Sequence, residues 1–160
     1  MIFVTLGSQK FQFNRLLKAI DKLVSDGKIT DTVFAQTGYS DYLPLHFKYK
    51  AFMDRKEFSC MQDKADIIIT HGGTGAIVGA LKKGKKVIGV PRLSKYEEHV
   101  DDHQLQIIEE FVKAGYIFTC QDCDEIYLVI QQIKNFKLLE YKSNTNSYID
   151  SINEFILNDL

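Results

Sequence analysis

Three glycines in four positions, Gly72, Gly73 and Gly75, follow His71 and flank Thr74 in the stretch HGGTG. Glycines so spaced let a backbone turn sharply and approach a ligand closely. Just before them Ile67, Ile68 and Ile69 form an unbroken β-branched run, suited to a parallel strand buried on both faces and ending at Thr70. After them Ile77, Val78, Ala80 and Leu81 recur at helical spacing, and Gly84 closes that helix. The VIGV run at 87–90 supplies a second buried strand, so Ala65 to Pro91 predicts a β-α-β unit with a right-handed crossover. A helix beginning here offers free N–H groups and the positive end of its dipole, which suit a phosphate or diphosphate. HGGTG is neither the P-loop nor the six-residue dinucleotide fingerprint. The other reading is a tight loop that lets helix pack on strand, and the pattern leaves both open.

Further candidates surround this unit. His71, at a strand end, is either a catalytic acid or base or a hydrogen-bonded structural group. The run HVDDHQ gathers His99, Asp101, Asp102, His103 and Gln104. It reads as donors and acceptors for a polyol, as a metal site, or as a polar helix start capped by Asp101 or Asp102. Metal is the weakest, because no second ligand cluster exists and Cys120 and Cys123 form an isolated C-x-x-C. We expect no metal and no cofactor. Lys82, Lys83, Lys85 and Lys86 around Gly84 are either a solvated helix end or a patch for anionic lipid. Tyr39, Tyr42, Phe47 and Tyr49 form a partner surface or a small packed lobe.

The elements that position these residues repeat the same pattern. Strands are expected at Ile2 to Leu6, about 32–36, Tyr49 to Met53, 67–70, 87–90 and 116–120. Phe13, Leu16, Leu17, Ile20, Leu23 and Val24 share one helical face, with Gly27 as its stop. Shorter helices are expected over about Lys56 to Lys64, around Leu105 to Val112, and from an Asp122 cap, with Glu125 as capping-box partner, to about Ile133. Tyr148, Ile149, Ile152, Phe155 and Ile156 suggest a terminal helix docked on the body. The alternation predicts an α/β fold: a single Rossmann-like domain over residues 1–160, with an open parallel sheet of about six strands and helices on both faces. Such sheets bind ligands at the carboxyl ends of their strands, where the turns at Gly7 and Ser8, His71 to Gly75, and Pro91 and Arg92 would open.

Composition narrows the function classes. At 160 residues the chain is long enough to bury roughly 70% of its unfolded surface. Apolar residues at 45% and charged residues at 26% argue against disorder, and a net charge of −1 argues against nucleic acid as a partner. The start MIFVTLGS lacks the features of a signal peptide, and no run approaches the roughly 20 apolar residues of a membrane span. Three cysteines, an odd set, fit reduced thiols. We expect a cytoplasmic protein, peripheral to the inner face of the cell membrane through a partner.

The ordered set T-x-G-S, H-G-G-x-G, V-P-R and D-H-Q resembles the C-terminal, nucleotide-sugar-binding half of GT-B glycosyltransferases. That group includes the MurG type and the small catalytic subunit of the eukaryotic N-glycan UDP-GlcNAc transferase. With MIFVTLGSQKFQFNRLLKAID and QTGYSDY, the chain looks still more like the small PssE/EpsF-type subunits of bacterial exopolysaccharide and capsule synthesis. The resemblance covers essentially the whole chain. It implies a UDP-sugar donor, with its diphosphate by Gly72, Gly73, Thr74 and Gly75, near Gly7, Ser8 and His71, and its base by Phe52 and Met53. Asp102, His103 and Gln104 match the element that approaches the donor sugar. His71 and Arg92 are the catalytic candidates, Arg92 to stabilise the leaving diphosphate. One departure stands out: many relatives hold the ribose with a glutamate where this chain has Gly79. The resemblance also implies a membrane-associated PssD-type partner carrying the acceptor domain, and a lipid-linked sugar acceptor. The competing readings are a non-catalytic accessory protein that activates a complete transferase, and a UDP-sugar epimerase.

Overall fold

A computed structural model describes residues 1–143, together with Ile149 and Ile156. Six strands form one all-parallel sheet: β1 (Ile2–Thr5), β2 (Val33–Gln36), β3 (Lys48–Lys50), β4 (Ile67–Thr70), β5 (Lys86–Gly89) and β6 (Phe118–Thr119). Their spatial order is β3-β2-β1-β4-β5-β6. The order reverses between β1 and β4, which pair from Ile2 with Ile67 to Thr5 with Thr70. That reversal is the place where open α/β sheets hold ligands. Among the described residues, α1 (Asn14–Ser25), α2 (Arg55–Lys64), α3 (Thr74–Lys82) and α4 (His103–Lys113) run between strands, and α5 (Ile126–Asn135) follows β6.

Strand alternation divides the core between the two sheet faces. Ile2, Val4, Ile67, Ile69 and Ile88 pack with Leu16, Leu17 and Ile20 of α1 and with Ile126, Ile130 and Ile133 of α5. Phe3, Ile68 and Val87 pack with Ile77, Ala80 and Leu81 of α3 and with Ile108 of α4. The β-branched run at 67–69 is therefore buried on both sides, as its composition requires. Emptying the site of Ile20 or Ile68, both fully buried, is worth about 2–5 kcal/mol.

Two local expectations change. β3 ends at Lys50, because only Lys48–Lys50 pair with Phe34–Gln36; Phe52 and Met53 lie beyond it. Its three residues are exposed, and two of them are lysines, which suits an unprotected sheet edge. Asp54 then starts α2 with a complete capping box, accepting from the Lys56 and Glu57 N–H groups while Glu57 accepts from its own. Asp122 caps a short 3-10 turn, Cys123–Glu125, through the Asp124 N–H, and Glu125 is the N-cap of α5 rather than a capping-box partner. The expected terminal helix lies outside the described residues, apart from Ile149 and Ile156, which are helical and half exposed. Among the described residues no helix is long and apolar enough to cross a membrane.

Candidate functional site

Because every strand is parallel, the turns after β1, β2, β4 and β5 all open on the carboxyl edge of the sheet. The turn after β4 runs from His71 to Gly73 and feeds α3, whose N-cap Gly73 has no side chain to satisfy the helix's first N–H groups. The Ala76 and Ile77 N–H groups bond to the Gly73 carbonyl at 3.0 and 3.1 Å. Those of Thr74 and Gly75 are left to face outward, on exposed residues, with the helix dipole behind them. A Cβ on Gly75 would meet nothing within 4 Å, so open space lies in front of this helix start.

His71 holds the neighbouring turns together from below. It is 8% exposed, and its Nδ1 lies 3.4 Å from the Thr5 carbonyl. A Cβ on Gly73 would fall 2.7 Å from His71 Nε2, and one on Gly7, whose φ is +74°, only 2.5 Å from His71 Cε1. Both glycines are therefore required by the imidazole wedged between them. Burial, reinforced by the charge of Arg92, pushes the pKa of His71 down to about 4, so the ring is neutral at physiological pH. The place is a brace and not an exposed acid or base.

Arg92 likewise lies below the edge, buried rather than at its surface. It is 0% exposed, and its Nη2 donates to the carbonyls of Leu6, at 2.6 Å, and Phe11, at 3.2 Å. Its Nε and Nη1 have no partner within the described residues. Burial lowers its pKa to about 10, against the opposing charge of Glu98. The guanidinium clamps the turn after β1 and adds positive charge under the edge, without reaching its surface.

The D-H-Q element divides. Gln104 is buried against the glycine turn: its Oε1 accepts from the Arg92 N–H at 3.3 Å, and a Cβ on Gly72 would meet Gln104 Cβ at 3.2 Å and Ile108 Cδ1 at 2.9 Å. Asp102 stands exposed at the rim, where its Oδ1 accepts from the Ser94 N–H at 2.8 Å. That bond keeps its pKa below the usual carboxylate range. His103 faces solvent, 3.3 Å from Gln106 Oε1, and Asp101 rather than Asp102 accepts from the first N–H of α4. Ser8 is exposed beside Gly7. Beyond β3, exposed Phe52 packs edge-to-face on exposed Tyr39, with ring centroids 5.1 Å apart, and Met53 is half-buried. Tyr39 was legible only as a member of an aromatic loop; its pairing with Phe52 depends on the Gly38 N–H bonding to Ala51 O.

Two other sequence candidates lie elsewhere. Three of the four lysines around Gly84 are tied internally, which favours a helix end over a lipid patch. Lys83 donates to Ser59 and Asp63, Lys85 to Asp63 O, and Lys86 to the carbonyls of Ile133 and Lys134 at the end of α5. Lys85 and Lys86 sit at the amino edge, beside open cavities of about 410 and 440 Å³. The Cys120 and Cys123 thiols are buried and raised to about 12 by that burial. Among the described residues no three His, Cys, Asp or Glu converge on a metal-sized point.

An all-parallel sheet with an uncapped, glycine-led helix at its switch point is the architecture of a Rossmann-like domain, half of a GT-B glycosyltransferase fold. The family model "Glycosyltransferase family 28 C-terminal domain" matches residues 1–156, and the chain belongs to that family. It is 36% identical over 62 residues to the UDP-N-acetylglucosamine transferase subunit ALG13 of Saccharomyces cerevisiae, covering 39% of this chain and 29% of that one. To the ALG13 subunit of Homo sapiens it is 29% identical over 128 residues, 74% of this chain and 11% of that one. The chain thus spans less than a third of the length of either relative. Among solved structures, the calicheamicin glycosyltransferase CalG4 superposes with a TM-score of 0.64 at 18% identity, covering 85% of this chain and 34% of that one.

Proposed function

We propose that this chain is the donor-binding subunit of a UDP-sugar-dependent hexosyltransferase that acts with a partner carrying the acceptor site. The observation that carries the reading is the open start of α3, where the Thr74 and Gly75 N–H groups face outward with no capping side chain. A diphosphate there accepts both N–H groups and meets the helix dipole. The uracil then stacks by Tyr39 and Phe52, and the sugar lies toward Gln104 and Asp102. In transfer, the bond between the anomeric carbon and the diphosphate oxygen breaks as the acceptor hydroxyl oxygen bonds to that carbon. The acceptor proton passes to a base on the other half, because His71 is buried out of reach of an acceptor and its lowered pKa makes it a weak base. The helix start and the buried Arg92 charge stabilise the leaving diphosphate.

The names of the ALG13 relatives, each a transferase subunit, support assembly with a partner and UDP-GlcNAc as the first donor to test. The sequence resemblance to PssE/EpsF-type subunits favours a PssD-type partner, a lipid-linked acceptor and exopolysaccharide or capsule synthesis at the cytoplasmic face of the membrane. Gly79, where the resemblance implies a ribose-binding glutamate in many relatives, favours the second reading of a non-catalytic accessory protein. Turnover of a lipid-linked acceptor separates them, measured for this chain, for the membrane-associated partner, and for the mixture. Activity in the mixture alone supports the split enzyme. Full activity of the partner alone makes this chain an accessory, and full activity of this chain alone removes the need for a partner.

A further inference from the structure

Glu98 is a fully buried carboxylate that neither composition nor motif singled out. It receives the Arg15 guanidinium on both oxygens, Nε to Oε1 at 3.1 Å and Nη2 to Oε2 at 3.0 Å. Its Oε2 also accepts from the Leu93 N–H at 3.0 Å. Arg15 in turn donates to Pro91 O and Gln121 O. One carboxylate thereby fixes the chain leaving β5 to the start of α1 and to the chain leaving β6. Its charge also faces Arg92, which clamps Leu6 O and Phe11 O.

The loop built on this carboxylate is tightly folded. The Glu98 N–H bonds back to Leu93 O, the Ser94 N–H to Asp102, and the Tyr96 carbonyl accepts from Gln12. His99 Nε2 lies 3.2 Å from Gln9 Oε1, and its ring packs on Phe11 at 4.9 Å. Glu97, immediately before Glu98, has φ 57° and ψ 27°, the one non-glycine residue among those described with a positive φ. A side chain in that conformation persists only where the surroundings enforce it.

We infer that Glu98 is a positioning residue: clamped by Arg15, it holds the loop at 91–102 in the shape that presents Asp102 and Gln104 to the donor sugar. This rests on the donor-binding reading above, and it assigns sugar discrimination to a buried ion pair that touches no ligand. Asp102 is fixed through Ser94 and Gln104 through the Arg92 N–H, both within the loop that Glu98 anchors. The diphosphate seat at Thr74 and Gly75 belongs to a different turn, so the two parts of the donor should respond separately.

The test is Glu98→Gln, which keeps the side chain's shape and removes its charge, titrated calorimetrically with UDP and with UDP-GlcNAc. The expected result is a UDP affinity within twofold of wild type and a UDP-GlcNAc affinity at least fivefold weaker. A loss shared equally by both ligands, or no loss for either in a folded variant, overturns the inference. Wild-type protein that binds neither ligand overturns the donor-binding reading and this inference with it. If Glu98→Gln does not fold, Ser94→Pro carries the test. Leu93 is already extended, Ser94 is the first residue of its 3-10 turn, and the substitution removes the N–H and the hydroxyl that anchor Asp102. A selective loss for UDP-GlcNAc of at least twofold is expected there, and an unchanged ratio of the two affinities overturns the inference.

Discussion

Gly75→Val isolates the anion-binding role of the α3 start from its structural role. A Cβ at Gly73 would collide with His71 Nε2 at 2.7 Å, so substitution there disturbs the buried brace as well as any ligand. At Gly75 the added atoms meet nothing within 4 Å, the residue is exposed, and its φ is not in the left-handed region. The fold should therefore survive while the isopropyl group occupies the approach to the Thr74 and Gly75 N–H groups. Two hydrogen bonds to a charged phosphate are worth about 1.5–3 kcal/mol each, so blocking both costs about 3–6 kcal/mol, a fall in UDP affinity of at least about 100-fold. In a thermal-shift assay, UDP at 100 times its Kd stabilises wild type by about 2.7 kcal/mol, or about 5–11 °C for a domain of this size. The variant should melt within about 2 °C of wild type without ligand and show almost no UDP shift. A full UDP shift in the folded variant would refute the assignment of the diphosphate to this turn.

Phe52→Ala should weaken UDP and UMP alike, by about 1–3 kcal/mol for a lost stacking contact, and leave pyrophosphate binding unchanged; calorimetry with the three ligands checks this. His71 has a folded pKa of about 4, below its unfolded value near 6.5, so the unfolded chain takes the proton first. Its contribution is full above pH 6.5 and is lost as pH falls toward 4, about 3 kcal/mol in all; urea unfolding across that window should be less pH-dependent in His71→Gln than in wild type. Lys86→Ala, which uncaps two carbonyls at the end of α5, should lower stability by about 1–2 kcal/mol without altering sedimentation with anionic vesicles. Vesicle binding that disappears with Lys86 would restore the lipid-patch reading.

Periodicity was sufficient where burial is set by a short stretch of sequence. The Ile67 to Ile69 run, divided between the two faces of the sheet, and the α1 face of Leu16, Leu17 and Ile20 announce their elements, because both are set by side chains close in sequence. β3 was overextended, since its end is decided by pairing with Gln36 and by the Asp54 cap, neither of which hydrophobicity reports. The glycine turn and Gln104 were read from motif order and Phe52 from the resemblance, and all three stand on the carboxyl side of the sheet. The burial of His71 and Arg92 was not: it depends on a His71 ring seated against Gly7, 64 positions away, and on an arginine reaching Leu6 O, 86 positions away. Glu98 and Arg15 were invisible for the same reason, being partners 83 positions apart. The lysines around Gly84 look like a surface run in sequence because their acceptors are backbone carbonyls of α2 and α5.

Backbone amide shifts of the isotope-labelled chain, followed as UDP-GlcNAc is added, test most directly whether the carboxyl edge is the donor site. The largest changes should fall on Gly73, Thr74 and Gly75, with smaller ones at Gly7, Tyr39, Phe52 and Gln104. Changes confined to Lys85, Lys86 and Lys134, which line the cavities at the opposite edge, or no changes at saturating donor, would contradict the account.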